Sequence, residues 1–544
     1  MTAHFRTAVA CATLLLSAGC EVGPSFRQPD AKLPPSWQDA TQSAGAAAGA
    51  TPDATTPNAT NGAAAPNAVT PATSTDAVDQ MWWRVFQDPT LEDLEQRVAT
   101  QNLDVRSATL RLTESRRQLQ IISGYLWPTL DANASYEREK ASKQGLLSLF
   151  GSGGSGSATA GSEASGTLGS GAGGAPNSTL SVLSSPLNLW QYGFDASWEL
   201  DLWGGARRAQ ESARATAQSS QEDLRTELLE QMAELARDYL TLRGVQAQRA
   251  IVDATVAADR DTASITGQRA GAGIVPHEDL VSAEAETDSV ASQLPALGQQ
   301  EAQLINALSL LLGLPPDALR YELVRQPSSP SSSQSTPPTV PLGLPSELAR
   351  RRPDIRSAEA RLQAATAQVG VAVAELYPSI TLTGSFGLQA LQFSNLGSWS
   401  ARQYALGPSL TLPLFEGGRL RGTVELRKVQ QQEAAINYQK TVLTAWHDVA
   451  NALIAYSTEQ ERLQRLTRAT HESEETLRIA LERYRSGIDP YLNVLTAQRT
   501  LLQYQLQTAQ SLTTLQTNLI QLYKALGGGW ESALPETASS AAAR

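Results

Sequence analysis

The chain has 544 residues, a net charge of −11 and an aromatic content of 6%. The acidic balance excludes the basic face that nucleic acid requires. Two cysteines, Cys11 and Cys20, and four scattered histidines, His4, His277, His447 and His471, leave no group with zinc-ligand spacing.

The N-terminus reads as an export signal. Arg6 precedes a short apolar run over 8–19, too short to span a membrane as a helix. The run ends in Ser17-Ala18-Gly19-Cys20, which resembles a bacterial lipobox. Residues 1–19 are therefore expected to be removed and Cys20 to carry covalent lipid; the plainer reading is an ordinary cleavage site followed by a free cysteine. Two details qualify the match: Leu16 stands four residues before the cysteine, where the pattern prefers leucine three before, and Glu21 replaces the aspartate that resembles an inner-membrane retention signal. An outer-membrane destination is favoured. Cys20 would be the sole mature cysteine, so no intrachain disulfide is expected.

The segment 20–80 reads as an extended, Pro-rich start followed, over 38–80, by a disordered linker of Ala, Thr, Asn, Pro and Gly. Such a composition buries too little surface to offset its chain entropy. Order is predicted to begin at "MWWRVFQDPTLEDL" (81–94), and a second low-complexity tract fills 151–178.

Each half of the ordered chain is predicted to read helix, strand, loop, strand, helix, turn, helix. In "TLDANASY" (129–136), Leu130, Ala132, Ala134 and Tyr136 share one face, with Asp131 and Asn133 on the other. In "WQYGFDASWELDLW" (190–203) the apolar face runs from Trp190 to Leu202, and Asp195, Glu199 and Asp201 lie opposite. "SITLTGSFGL" (379–388) and "YALGPSLTLPLF" (404–415) alternate likewise. A period of two with an aromatic face fits transmembrane β-strands, apolar toward lipid and polar toward a lumen. A soluble sheet with one wet face is the alternative. Asp131, Asp195, Glu199 and Asp201 then become lumen-facing acids.

Two corners, "LDLWGGARR" around Gly204 and Gly205 and "LPLFEGGRLRG" around Gly417 and Gly418, turn strand into helix. Trp203 and Phe415 would mark the membrane interface, and the glycines permit unusual backbone angles. Behind the corners, proline-free stretches extend to about Gly267 and Ser486. A helix of roughly sixty residues reaches about 90 Å. Leu224, Leu228, Leu235, Tyr239 and Leu242 form a narrow apolar stripe with polar flanks, suited to coiled-coil-like packing. The turns "GIVPHEDL" and "GIDPYLNVL" reverse each long helix, and return helices are predicted over 276–312 and 490–526, with Pro276 and Pro490 in the first turn.

These elements are a tandem duplication. "NLDVRSATLRL" (102–112) returns as "RPDIRSAEARL" (352–362), and "LWPTL" returns as "LYPSI" at the same offset of roughly 250 residues. The Gly pairs and the helix reversals repeat at a smaller offset, so the first copy carries an insertion between its strands, where the Gly/Ser tract lies. The chain divides into a first repeat over 81–313 with a surface-loop insertion at about 140–185, a Pro/Ser-rich linker over 314–345, a second repeat over 346–530 and a tail over 531–544. Two strands per copy cannot close, and an open edge leaves unpaired backbone groups in hydrocarbon. Three chains would supply twelve strands, the smallest assembly with room for a lumen.

The chain resembles TolC/OprM-type outer-membrane factors, in their lipoprotein (NodT-like) branch. The resemblance rests on "WWRVFQDPTLEDL", "LDLWGGARR", "RRPDIRSAEARLQAATAQVGVAVAELYPSITLTG", "LGPSLTLPLFEGGRLRG", "ERYRSGIDPYLNVLTAQRTLL" and "LYKALGGGW". It implies an α+β membrane protein: a homotrimeric 12-strand transmembrane β-barrel continuous with a 12-helix periplasmic α-barrel. It implies an exit duct of a tripartite efflux system, conducting small toxic compounds from a resistance-nodulation-division transporter and its periplasmic membrane-fusion adaptor to the exterior. No enzyme chemistry and no cofactor beyond the lipid are expected. A type I secretion duct is the alternative within this fold, and a non-transporting periplasmic tether the alternative outside it. The resemblance places a gate at the periplasmic tip, with an apolar ring on Leu492 and linking residues at Tyr484 and Arg499. The family's carboxylate position holds Thr496 here, a departure. Glu278, Asp279 and Asp489 are expected to supply the negative tip instead.

Overall fold

The computed structural model describes residues 21–28, 73–74, 81–140, 186–325, 340–341 and 351–529. Cys20, the signal, the 38–80 linker apart from 73–74, nearly all of the 140–185 insertion and the 531–544 tail lie outside them. The chain separates into two compact units, and each draws on both repeats.

Of the described residues, the first unit comprises 21–24, 120–140, 186–210 and 367–427. Its centre is an antiparallel sheet of four strands: β1 (Thr129–Glu139), β2 (Leu187–Leu200), β3 (Ser379–Ala390) and β4 (Arg402–Thr411), in that order across the sheet. The register keeps the predicted faces intact. Asp131 pairs with Asp195, and Tyr192 with Leu388. Phe386 lies opposite Phe194 on one side and Tyr404 on the other. The aromatic face is uncovered: Phe194 is 53% exposed and Leu406 80%. Among the described residues the outer edges of β1 and β4 have no partner strand.

Both strands that lead into corners end earlier than the alternation suggests. β4 stops at Thr411, two residues before Pro413. β2 stops at Leu200 because Asp201 serves the helix that follows. Its carboxylate accepts from the backbone N–H groups of Ala206 (3.2 Å) and Arg207 (3.0 Å) and pairs with the Arg207 Nε (3.1 Å). Helix N-termini present unpaired N–H groups, and an acid there satisfies them. Asp201 is thus a helix cap rather than a lumen-facing acid. Gly204 (φ +81°), Gly417 (+57°) and Gly418 (+90°) hold the corner angles. Trp203 stacks on Tyr377 at 4.8 Å and donates from Nε1 to the Pro378 carbonyl.

The second unit comprises 25–119, 211–366 and 428–529 of the described residues. The helices of the chain are α1 (Pro89–Gln101), α2 (Leu103–Gly124), α3 (Gly205–Gly271), α4 (His277–Ala291), α5 (Gln293–Leu311), α6 (Arg320–Arg325), α7 (Pro353–Ala374), α8 (Arg419–Arg485) and α9 (Tyr491–Leu526). No described helix is long and apolar enough to cross a membrane. The predicted stripe Leu224, Leu228, Leu235, Tyr239 and Leu242 is buried, together with Trp82, Tyr456 and Tyr523. Trp82 stacks on Tyr523 at 5.7 Å. Asp88 caps α1 by accepting from Thr90 N (2.9 Å), with Pro89 at the first helical position, and also accepts from the Tyr239 hydroxyl.

The return helices differ between the copies. α9 is continuous, whereas its counterpart breaks at Ser292 into α4 and α5. Pro295 lies one turn beyond the break, and its ring and missing N–H disrupt the helical bond to Ala291. Ala509 occupies the corresponding place in α9. Pro276 and Pro490 precede the first helical residue, as extended caps, instead of lying in the first turn.

Gly193 and Gly387 are paired where β2 and β3 approach closely. A Cβ at Gly193 would lie 2.7 Å from the Phe386 oxygen and 2.8 Å from Gly387 Cα. Gly193→Val is expected to force the ladder apart at a cost of about 1–3 kcal/mol, typical of overpacking. The check is the thermal midpoint of the purified assembly, which should fall; an unchanged midpoint would show that the strands have room to spare.

Candidate functional site

The two helix reversals of the second unit are built the same way. At the first, Gly273 N–H donates to the Ala270 carbonyl and Ile274 N–H to that of Arg269, both at 2.9 Å. At the second, Gly487 N–H donates to Tyr484 (3.0 Å) and Ile488 N–H to Arg483 (2.9 Å). This paired closure of a helix end requires a left-handed residue, and Gly273 (φ +70°) and Gly487 (φ +71°) supply it.

Around these turns a small core gathers Ala283, Tyr484, Tyr491, Val494 and Leu495. Tyr484 is buried, 5.6 Å from the Tyr491 ring, and its hydroxyl lies 3.3 Å from that of Thr266 on α3. The Arg269 guanidinium sits 4.9 Å from the Tyr484 ring centre and donates to the carbonyls of Tyr484 (3.0 Å) and Arg485 (3.3 Å). A cation is favoured there because the end of α8 carries unpaired carbonyls and the negative end of the helix dipole.

Arg499 on α9 donates from Nε to Glu286 on α4 at 2.8 Å. Glu286 is buried, whereas the Arg499 side chain is 61% exposed. That exposure lets water screen the pair, so its net worth is about 1 kcal/mol. Next to it Gln498 Nε2 donates to Asp259 Oδ1 at 2.9 Å. Both groups are buried, and Asp259 Oδ2 and Gln498 Oε1 have no hydrogen-bond partner. Burial first, then the charge of Glu286, pushes the Asp259 carboxyl up to about 6. The polar ties Thr266–Tyr484, Asp259–Gln498 and Glu286–Arg499 all join helices of the first copy to helices of the second.

The remaining predicted residues fall elsewhere. Leu492 and Thr496 share the exposed face of α9 with Arg499, while Tyr491, Val494, Leu495 and Gln498 make the buried face. The Thr496 hydroxyl turns back to the Leu492 carbonyl at 2.8 Å. Glu278 and Asp279 lie in the first turn of α4, where acids suit the helix N-terminus. Asp489 differs from expectation: Arg483 binds it at 2.7 Å and holds its carboxyl below the usual range. Its charge is neutralised locally, leaving Glu278 and Asp279 as the acids of the tip that have no paired cation among the described residues. In the sheet, Asp131, Asp195 and Glu199 share the polar face, and the Asn133 amide donates to Asp195. Asp448, beside His447, accepts from Arg352 at 3.3 Å, and Arg352 also binds Asp354 and the Ala525 carbonyl. No group of side chains able to hold a metal ion occurs among the described residues.

Asp259, Thr266, Arg269, Glu286 and Gln498 were not singled out from sequence. A signal existed for two of them. Asp259 continues the buried run Val252, Val256, and Gln498 lies between buried Leu495 and Leu502. A polar residue on an apolar stripe needs a buried partner.

The family model for outer membrane efflux proteins matches residues 94–314 and 344–528. The chain is 31% identical to the toluene efflux pump outer membrane protein TtgC of Pseudomonas putida, over 95% of this chain and 94% of that protein. It is 30% identical to the outer membrane protein OprJ of Pseudomonas aeruginosa, over 84% of this chain and 88% of that one. The solved structure of the outer-membrane channel OprN superposes with a TM-score of 0.75 at 30% identity, covering 94% of this chain and 100% of that chain.

The Asp259 environment sets a pH dependence. An unfolded aspartate titrates near 3.9, so between about pH 4 and 6 the folded chain holds a proton that the unfolded chain has released. This contribution to stability is complete below pH 4 and is lost as pH rises through 6, amounting to about 3 kcal/mol at most. Asp259→Asn keeps the acceptor for Gln498 and offers a donor to Gln498 Oε1. The variant should have a raised Tm at pH 7.5 and a flatter Tm profile between pH 4.5 and 6.5; an identical slope would place the titration elsewhere.

Proposed function

The chain belongs to the outer membrane efflux protein family, and on that footing we propose that three copies close into the exit duct of a tripartite efflux system. It is an outer-membrane channel with the fold of its relatives, combining a β-barrel with a helical barrel. The observation that carries the trimer is the four-stranded sheet, whose aromatic face is uncovered and whose two edges are unpaired among the described residues. Such edges cannot lie in lipid, and closure with further copies removes them. Exposed apolar residues at seven-residue spacing support the same assembly: Val429, Ile436 and Leu443 on α8, and Leu103 and Leu110 on α2. That spacing is the seam of coiled-coil packing.

The activity is conduction, without a chemical step. The inner-membrane component is a resistance-nodulation-division transporter joined through a periplasmic membrane-fusion adaptor. The cargo is small toxic organic compounds, antibiotics among them, by analogy with relatives named for toluene and antibiotic efflux. Cys20 carries the lipid anchor. A tether needs no lumen and gives no reason for a polar face such as Asp131, Asn133, Asp195 and Ser197. Cross-linking the full chain in cells and identifying what co-purifies tests the reading. An adaptor and a transporter of that class are expected near 270–285 and 484–499; an ATP-driven exporter would shift it to secretion of proteins.

The gate is the set of ties at the reversals, with Leu492 and Thr496 on the open face of α9. Arg499→Ser combined with Tyr484→Phe breaks two ties and leaves Glu286 buried and unpaired, a penalty of about 1–3 kcal/mol against the closed form. Single-channel conductance in planar bilayers should rise several-fold; a conductance equal to wild type would remove these ties from the gate. In the same assay Glu278→Gln with Asp279→Asn should lower cation selectivity, read as a shifted reversal potential.

A further inference from the structure

At the end of the sheet away from the corners, two arginines face outward where the alternation calls for apolar residues. Arg138 continues the face of Leu130, Ala132, Ala134 and Tyr136 on β1. Arg402 begins the face of Tyr404, Leu406 and Leu410 on β4. Both are exposed, and neither is ion-paired among the described residues. An outward arginine costs about 2–4 kcal/mol at the bilayer midplane and about 0–1 at its border, so this end of the sheet marks the outer border.

The surroundings are aromatic. Tyr136 packs on Trp190 at 4.2 Å, and Trp190 meets Phe393 edge-on at 5.0 Å. The Arg402 guanidinium lies 4.6 Å from the centre of the Trp399 ring, and its Nη1 donates to the Trp399 carbonyl at 2.9 Å. Trp399 and Phe393 are 72% and 67% exposed. The stack holds one face of the guanidinium, while the side chain stays exposed and has further N–H donors.

Arg138 and Arg402 lie on the two edge strands. The row through Ala134, in the middle of β1, runs by way of Tyr192 and Leu388 to Arg402, at the very start of β4. The strands are therefore staggered. Carrying the same stagger across the junction between protomers sets Arg402 beside the outer end of the next β1, where Arg138 and Lys140 stand. Each junction then gathers three cations from two protomers on a lipid-facing aromatic rim.

We propose that each such junction binds the phosphate groups of an anionic lipid of the outer leaflet, with Arg402 and Arg138 as the paired donors. Planar guanidinium groups match phosphate oxygens in two-point contacts, and the aromatic rim suits the sugar and upper acyl region of a phosphorylated glycolipid. Three cations converging on the lipid side, with no carboxylate partner among the described residues, are otherwise mutually repulsive. The inference rests on the trimeric closure proposed above.

The test is native mass spectrometry of the full-length protein released from nanodiscs of phosphatidylcholine doped with lipid A. Wild type is expected as a trimer retaining up to three lipid A molecules, with little retention of the dephosphorylated form. Arg138→Gln with Arg402→Gln should weaken retention tenfold or more while the trimer mass persists; Arg402→Lys, which keeps the charge but loses the planar stack, should be intermediate. A trimer that retains lipid A equally in the double variant, or that retains the dephosphorylated lipid equally, overturns this inference alone. Absence of a trimer in wild type overturns the closure and the inference with it. If the double variant does not assemble, Arg402→Lys and the dephosphorylated lipid on wild type still decide.

Discussion

A β-strand in hydrocarbon must have both edges paired, and this requirement governs the protein. To its antiparallel sheet the chain supplies four strands, two from each copy of its repeat, and among the described residues the outer edges of β1 and β4 are open. Its apolar face is left uncovered by the described residues, and its polar face carries Asp131, Asp195 and Glu199. Each feature is a liability in an isolated molecule and is resolved by closure around a lumen. The duplication doubles what each chain brings to closure, since one copy alone would bring only a hairpin.

The helical unit answers a different demand. Helices of 67 residues, α3 and α8, hold together through a narrow apolar stripe, with few large side chains per turn. Such stripes pack well but slide and separate with little to set register. At the reversals specificity comes from polar ties instead: Thr266 to Tyr484, Gln498 to Asp259 and Arg499 to Glu286. Buried polar groups are expensive when half satisfied, as the unpartnered oxygens of Asp259 and Gln498 are. The reversals are therefore held by a few breakable contacts rather than by a large core.

The two repeats have diverged at their helix reversals. Both reversals keep the glycine closure, yet the helix after the first is broken by Pro295 and the helix after the second is not. Asp489 is paired by Arg483, while Glu278 and Asp279 occupy the start of α4 without a paired cation among the described residues. The pseudo-symmetry is one of backbone; the charges are distributed unequally over it.

Periodicity made the strands, the long helices, the turns and the duplication legible, because the alternation of two, the spacing of 3.6 and the Gly-x-x-Pro turns are local properties of the chain. The buried stripe from Leu224 to Leu242 was equally plain. Local pattern misjudged Asp201, whose alternation matched a strand although its carboxylate was claimed by backbone N–H groups five and six residues on. It also counted Asp489 as a free acid, since the Arg483 that neutralises it is reached only when the turn brings the two together. Asp259, Glu286 and Gln498 were invisible as a group because they lie on three helices far apart in sequence. The sequence by itself determined the elements, their faces and the need to associate. Only tertiary structure decided which polar residues meet, because meeting depends on helix register and on the course of each turn, which no single segment encodes.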